Sequence, residues 1–180
     1  MAGVLDGEGL ASAIVDGDEG AVAAHLATGG SPDLRSGYGG WPALVLAAAC
    51  NSLGIVRLLL KAGARIELVN RANDSALTIA AQEGHGEVVE ELLRAGADRS
   101  HKGGDEQKTA AEWARDNGHG QLAALLSQMQ VQAQAQQQAQ AQKQQQQAQV
   151  QQQQQHAVAP QPQQPQQDPV QLFVKLTGAD

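Results

Sequence analysis

The sequence predicts an all-α solenoid of about four helix-turn-helix units, followed by a glutamine-rich tail that is disordered or partly helical. Three observations predict it. First, a block of residues recurs: Pro42-Ala43-Leu44-Val45-Leu46-Ala47-Ala48 is answered 33 positions later by Ser75-Ala76-Leu77-Thr78-Ile79-Ala80-Ala81. The same offset lays Ile55-Val56 on Val88-Val89, Leu59-Leu60 on Leu92-Leu93 and Gly63-Ala64 on Gly96-Ala97. Second, apolar residues inside each block recur three and four positions apart, the spacing of one helix face. Third, the composition changes after residue 127, with glutamine at 24 of the 40 positions from Gln128 to Gln167. Repetition at this period marks a stacked architecture, in which one unit cannot bury its apolar face and about three are needed.

The elements follow in order along residues 1–127. The first unit, about 5–35, is placed by stepping back another 33 residues, which sets Gly63 on Gly30, Ile55 on Val22 and Leu59 on Leu26. The second and third units span about 36–68 and 69–102. The fourth, 103–127, is reached by an offset of 34, which brings Thr109, Ala114 and Gly118-His119 onto Ser75, Ala80 and Gly84-His85. Each unit opens with a short helix of small residues (Leu44, Ala47, Ala48; Leu77, Ala80, Ala81), able to approach a neighbour closely. A break follows at Asn51-Ser52, Gly84-His85 and Gly118-His119. A second helix then carries larger residues: Ile55, Val56, Leu59 and Leu60; Val88, Val89, Leu92 and Leu93; Leu122, Leu125 and Leu126. Gly30, Gly63 and Gly96 stand where a left-handed residue should close it. Thr109-Ala110-Ala111-Glu112 has the form of a capping box. Trp113 aligns with Ile79 and is expected in the core.

These residues resemble the ankyrin repeat. The resemblance rests on the period, on Ala80-Ala81 followed by Gly84-His85-Gly86-Glu87-Val88-Val89, and on Leu92-Leu93-Arg94-Ala95-Gly96-Ala97-Asp98. It covers about residues 5–127. The first unit departs from it, with Asp18-Glu19 in place of Gly-His, and the second and third lack the family's Thr-Pro-Leu-His opening. The resemblance implies a curved stack of helix pairs with protruding turns that binds a protein partner through the turn tips and the concave face of the first helices. Carried over by position, the partner-binding residues are Tyr38, Gly39 and Trp41 in the second unit; Arg71, Ala72, Asp74, Gln82 and Glu83 in the third; and Asp105, Glu106, Lys108, Asp116 and Asn117 in the fourth. That surface is aromatic at one end and acidic at the other, which suits a partner presenting a basic segment with an apolar residue near Trp41. It also implies that His85 and His119 brace the turns between helices.

Charge and composition exclude other classes. Residues 1–127 hold ten Lys and Arg against seventeen Asp and Glu, and no basic run occurs. Nucleic-acid affinity rests on many Lys or Arg contacts to phosphate, so no nucleic-acid partner is expected. The longest apolar run, Ala43 to Cys50, is far short of the ~18 residues of a membrane span, so no membrane partner is expected either. Asp6 and Glu8 stand where a secretory signal would carry basic and then apolar residues. A single cysteine, Cys50, fits a reducing compartment. The expected location is the cytoplasm, with the nucleus as the second choice. No metal or cofactor is expected, because no His, Cys, Asp or Glu set has ligand spacing. The segment Gly103-Gly104-Asp105-Glu106-Gln107-Lys108-Thr109 fails as a phosphate loop, with Lys102 and Gln107 where glycine is required. Cys50 has no paired base and reads as a semi-buried small residue.

The tail has two parts. Residues 128–169 are low-complexity, rich in Gln, Ala and Pro. Alanine and glutamine are good helix formers, so the last helix should run past Ser127, carrying Leu122, Leu126 and Met129 at helical spacing. Pro160, Pro162 and Pro165 forbid helix thereafter. The tract reads as a flexible spacer or as a point of self-association. In 170–180, Gln171-Leu172-Phe173-Val174-Lys175-Leu176-Thr177-Gly178 alternates like a strand and resembles the first strand and turn of ubiquitin. It is either the start of a ubiquitin-like domain in a longer protein or a chance likeness. The function expected is a non-catalytic protein-interaction module, a scaffold or adaptor. The alternative is an adaptor of the ubiquitin system that joins client-binding repeats to a ubiquitin-like C-terminus.

Overall fold

The computed structural model describes residues 4–37 and 39–157. For residues 130, 133, 134, 137 and 150–157 it describes the backbone alone. The expectations for Tyr38 and for the strand-like segment 170–180 therefore lie outside the described residues. The chain divides into two compact units, Met1–Ala135 and Gln136–Asp180.

In the first unit, helices alternate between two layers. The inner layer is α1 (Gly7–Val15), α3 (Ala43–Ala49), α5 (Ala76–Gln82) and α7 (Ala110–Asp116). The outer layer is α2 (Glu19–Ala27), α4 (Leu53–Lys61), α6 (Gly86–Arg94) and the first turns of α8 (Gly120–Ala157). Neighbouring inner helices pack on one another because their facing residues are small: Ala47, Ala48, Ala76, Ala80, Ala81, Ala110 and Ala114 are all buried. The outer helices fill the space behind with Ile55, Val56 and Leu59, then Val88, Val89 and Leu92, then Leu126. Between the third and fourth pairs a two-stranded ribbon, β1 (Lys102–Gly103) and β2 (Lys108–Thr109), pairs antiparallel with Lys102 opposite Thr109. This repeated pattern is the fold the 33-residue period predicts.

The register of the first unit differs from expectation by one residue. The outer helices α2 and α4 begin at Glu19 and Leu53, 34 residues apart, so Gly63 corresponds to Gly29. Gly29 is the residue with positive φ, at 84°, matching Gly63 at 85° and Gly96 at 95°. The turn pair Gly84-His85 corresponds to Gly17-Asp18, where Asp18 caps α2 by accepting from the Ala21 N–H at 2.9 Å. Gly30 is glycine for a different reason. A Cβ there would collide with the ring of His25.

His25 is the consequence of that shift. At an offset of 34 it takes the place of Leu59, in the column continued by Leu92 and Leu126, and it is completely buried. The N–H of Leu5 donates to Nδ1 at 2.9 Å, which leaves the proton on Nε2 to donate to the carbonyl of Ser31 at 3.1 Å. An apolar column thus tolerates an imidazole because two backbone groups satisfy both ring nitrogens.

At the other end, α8 continues through the glutamine tract to Ala157, about thirty residues beyond the apolar stripe. Ala123 and Leu126 are buried and Met129 packs against the core, whereas Leu125 is 36% exposed. In the second unit the described residues, 136–157, are helical throughout. Alanine and glutamine favour helix, and no proline intervenes before Pro160.

Candidate protein-binding face

The inner helices end in step, so their last residues form rows. The row nearest the helix C-termini is Val15, Ala49, Gln82 and Asp116; one turn earlier stand Ser12, Leu46, Ile79 and Trp113; the C-caps are Asp16, Cys50, Glu83 and Asn117. In the row nearest the C-termini the chemistry changes from apolar Val15 and Ala49 in the first two units to Gln82 and Asp116 in the last two. Where it is apolar, a cavity of about 640 Å³ opens between α1 and α3, lined by Glu8, Ala11, Ser12, Val15, Ser36, Gly37, Trp41, Leu46 and Ala49. Of these, Val15 is 61% exposed.

Trp41 reaches this cavity through the local build of its turn. The N–H of Ser36 donates to the Trp41 carbonyl at 2.9 Å, and the N–H of Ala43 donates to the Leu34 carbonyl at 3.0 Å, closing a small hairpin. Gly39 sits at its tip with φ of 76°, and a Cβ there would stand 2.8 Å from Cδ1 of Trp41. Glycine therefore lets the indole fold back over the turn. Trp41 is half-buried and packs against the core, so it forms a wall of the cavity instead of projecting from the tip.

The other turn tips are cross-braced. Arg35 donates from Nη1 to the carbonyls of Gly40 (2.8 Å) and Val69 (3.0 Å). The Asn73 amide donates to the Lys102 carbonyl at 2.8 Å, the His101 ring donates to the Asn73 carbonyl at 2.8 Å, and the Gly104 N–H donates to the Ala72 carbonyl at 3.0 Å. Arg71 and Ala72 are exposed on the third unit's tip, Asp105 and Glu106 on the fourth's. Gln82 is half-buried and Glu83 exposed at the end of α5, and Asn117 is exposed at the end of α7.

Two predicted residues do other work. Asp74 is 7% exposed and is not displayed. Its Oδ2 accepts from the Asn70 amide at 3.2 Å and its N–H donates to Asn70 Oδ1 at 2.9 Å, while Oδ1 lies buried without a partner. Burial pushes its carboxyl above the ordinary range, against the lowering effect of the Asn70 bond. Lys108 is the second. Its ammonium pairs with Glu106 and, at 2.6 Å, with Asp116, and lies 5.0 Å from the ring centre of Trp113. The hydrogen bonds that the ammonium donates to Asp116 and Glu106 push it upward, and the Asp116 bond holds that carboxyl below its usual value. The acidic end is thereby partly neutralised. Trp113, expected in the core, is half-buried and donates from Nε1 to the Gly103 carbonyl at 3.3 Å.

His85 and His119 act across units. His85 Nε2 donates to the Ala49 carbonyl at 3.2 Å, and His119 Nε2 to the Gln82 carbonyl at 3.1 Å, so each clasps the preceding inner helix. Cys50 is exposed where semi-burial was expected, and its thiol is pushed up by desolvation, the opposite of an activated nucleophile. Among the described residues, no group of three or more His, Cys, Asp and Glu could hold a metal ion, and no helix is long and apolar enough to cross a membrane.

The sequence reading missed Glu8, Ala11, Ser12, Val15, Leu46 and Ala49 as a surface. Ala11, Val15, Leu46 and Ala49 look like core by type, and only the correct register of the first unit aligns Val15 with Gln82 and Asp116.

Comparison with known proteins agrees with this architecture. Residues 10–103 and 44–138 match the model of a family described as ankyrin repeats (3 copies). Over 90 residues the chain is 44% identical to a probable E3 ubiquitin-protein ligase, XBOS33, of Oryza sativa subsp. japonica. That alignment takes in 48% of this chain but only 17% of the rice protein's length.

Proposed function

We propose that this chain, which belongs to the ankyrin-repeat family, is a non-catalytic scaffold or adaptor that holds a protein partner on its inner-helix face and turn tips. The observation that carries the reading is the graded inner face, with an open apolar cavity at the first two units and acidic residues at the last two. Rigid stacking sets these side chains before a partner arrives, which lowers the ordering cost of association. The proposed setting is the cytoplasm or nucleus.

The test is affinity capture from cell extract with the full chain as bait. Leu46→Glu, in the inner face, should release a partner that Lys61→Glu, on the exposed outer layer, retains. A partner released by neither change would place binding elsewhere, and a bait that captures nothing specific would count against a binding module.

A second reading, an adaptor of the ubiquitin system, is favoured by the likeness to the rice protein named as a probable ubiquitin ligase. It predicts that a captured partner becomes ubiquitylated in cells only when the chain is present. Self-association through the glutamine tract would appear as a concentration-dependent mass in sedimentation, lost on deleting residues 128–157.

A further inference from the structure

We propose that the cavity between α1 and α3 takes a short peptide segment of the partner that carries one aliphatic or aromatic residue directly beside Lys or Arg. The proposal rests on the inner face being the binding face and adds the chemistry of what it binds.

The apolar half of the argument comes from the walls. Ala11, Val15, Leu46, Ala49 and Trp41 surround the opening, and its volume of about 640 Å³ lies in the range of clefts that receive a side chain or small ligand. In the row Val15, Ala49, Gln82 and Asp116, the two later units place polar groups toward water. The first unit places Val15 there, 61% exposed and lining the cavity. Trp41 adds a fixed aromatic wall of the kind that concentrates binding energy.

The basic half comes from the field around the opening. Glu8 lines it and Asp16 follows Val15 at the end of α1. Neither α1 nor α3 contains a Lys or Arg, and neither has a basic residue in its last turn. The outer helices α4 and α6 end with Lys61 and Arg94 and α7 carries Arg115 in its last turn, whereas α5, like α1 and α3, has no basic residue there. The two helix C-termini at the cavity therefore present uncompensated carbonyl ends, which attract cations. Arg35, in the adjacent turn, is committed to the carbonyls of Gly40 and Val69. The first junction also lacks the clasp. Ser52 stands where His85 and His119 stand in later units, and its hydroxyl turns to the Cys50 carbonyl, so the Val15 carbonyl has no histidine donor. The carboxylates and helix C-termini at this opening are negative, and an apolar residue flanked by a cation answers them.

The test selects short random peptides displayed on phage against the full chain. The consensus is then synthesised and titrated by Trp41 fluorescence in a Trp113→Phe background. Enriched peptides should carry an aliphatic or aromatic residue next to Lys or Arg, and their affinity should weaken as salt rises. Replacing Glu8→Gln with Asp16→Asn should lower affinity several-fold. Val15→Arg, at an exposed site that leaves the fold intact by thermal melting, should lower it at least about tenfold. Lys61→Ala, on the exposed outer layer, should leave it unchanged. Peptides without a basic residue, or an affinity indifferent to the Glu8 and Asp16 changes, would overturn the proposed occupant while leaving the binding face in place. Peptides that Gln82→Ala releases would move the site to the later units. A selection that enriches nothing would overturn both the occupant and the face.

Discussion

The first junction of the stack differs from the two that follow it. Between the second and third units, and again between the third and fourth, a histidine ring bonds a carbonyl at or next to the end of the preceding inner helix. At the first junction that position is Ser52, too short to reach, and the polar investment has moved inward to His25, which is buried and tied to Leu5 and Ser31. The row above also changes, from Gln82 and Asp116 to Val15 and Ala49. The later junctions spend polar groups holding units together, while the first leaves its outer edge open and apolar. In a stack held by nearest-neighbour interfaces, one junction can be weakened for recognition without unfolding the rest.

The largest effect should come from His25. His25→Ala would empty a fully buried site and leave the Leu5 N–H and the Ser31 carbonyl unpaired, costing about 3 kcal/mol. His25→Leu restores the apolar residue of the column but still orphans both backbone groups, so it should recover only part of that loss. Urea denaturation measures the totals, and amide hydrogen exchange should place the loosening in α1 and α2. A leucine variant as stable as the parent would mean that the two hydrogen bonds contribute nothing net.

The clasps come next. His85→Ala and His119→Ala should each cost about 1 kcal/mol, the net worth of one intramolecular hydrogen bond. Ser52→His should have the opposite sign. The His119 ring lies over Gly84, and the equivalent glycine at the first junction, Gly17, has open space around it, so an imidazole has room there. The gain should approach about 1 kcal/mol by denaturation. If the added ring also covers the cavity mouth, peptide affinity should fall as stability rises.

How much of this was legible in the sequence depends on what repetition encodes. The fold was, because a small apolar helix, a break and a larger apolar helix recur in every unit, and only stacking buries them. The register of the first unit was not. Gly29 and Gly30 are adjacent, and a strict 33-residue step chooses Gly30, whose side chain is excluded by His25 and not by backbone conformation. That single slip hid His25 from the Leu59 column and Val15 from the binding row. Asp74 was misplaced for another reason. Aspartate is common both at displayed tips and in the bonding inside a turn, and only three-dimensional burial separates the two. The partial neutralisation of the acidic end was equally hidden, since nothing in sequence spacing announces that Lys108 reaches both Glu106 and Asp116.

The smallest predicted effects are in pH dependence, and they separate the start of α7 from the turn before α5. Glu112 accepts from both the N–H and the hydroxyl of Thr109 at 2.8 Å, the capping box, and those bonds hold its carboxyl below the usual glutamate range. Its contribution is fully present above the ordinary glutamate value and is lost as pH falls through the lowered one. Thr109→Ala should cost about 1 kcal/mol near neutrality and flatten the acid side of the stability profile. Asp74 has the reverse sign. Its carboxyl is raised by burial, so the folded chain binds the proton more tightly than the unfolded one, and stability declines as pH climbs from the ordinary aspartate value through the raised one. Asp74→Asn removes the charge while keeping the shape, and should erase that decline with little change at low pH. Urea midpoints measured across the acid range for the parent and both variants should therefore diverge on opposite sides of the ordinary carboxylate values. A decline that persists in Asp74→Asn would show that the unpartnered Oδ1 of Asp74 costs the folded chain nothing.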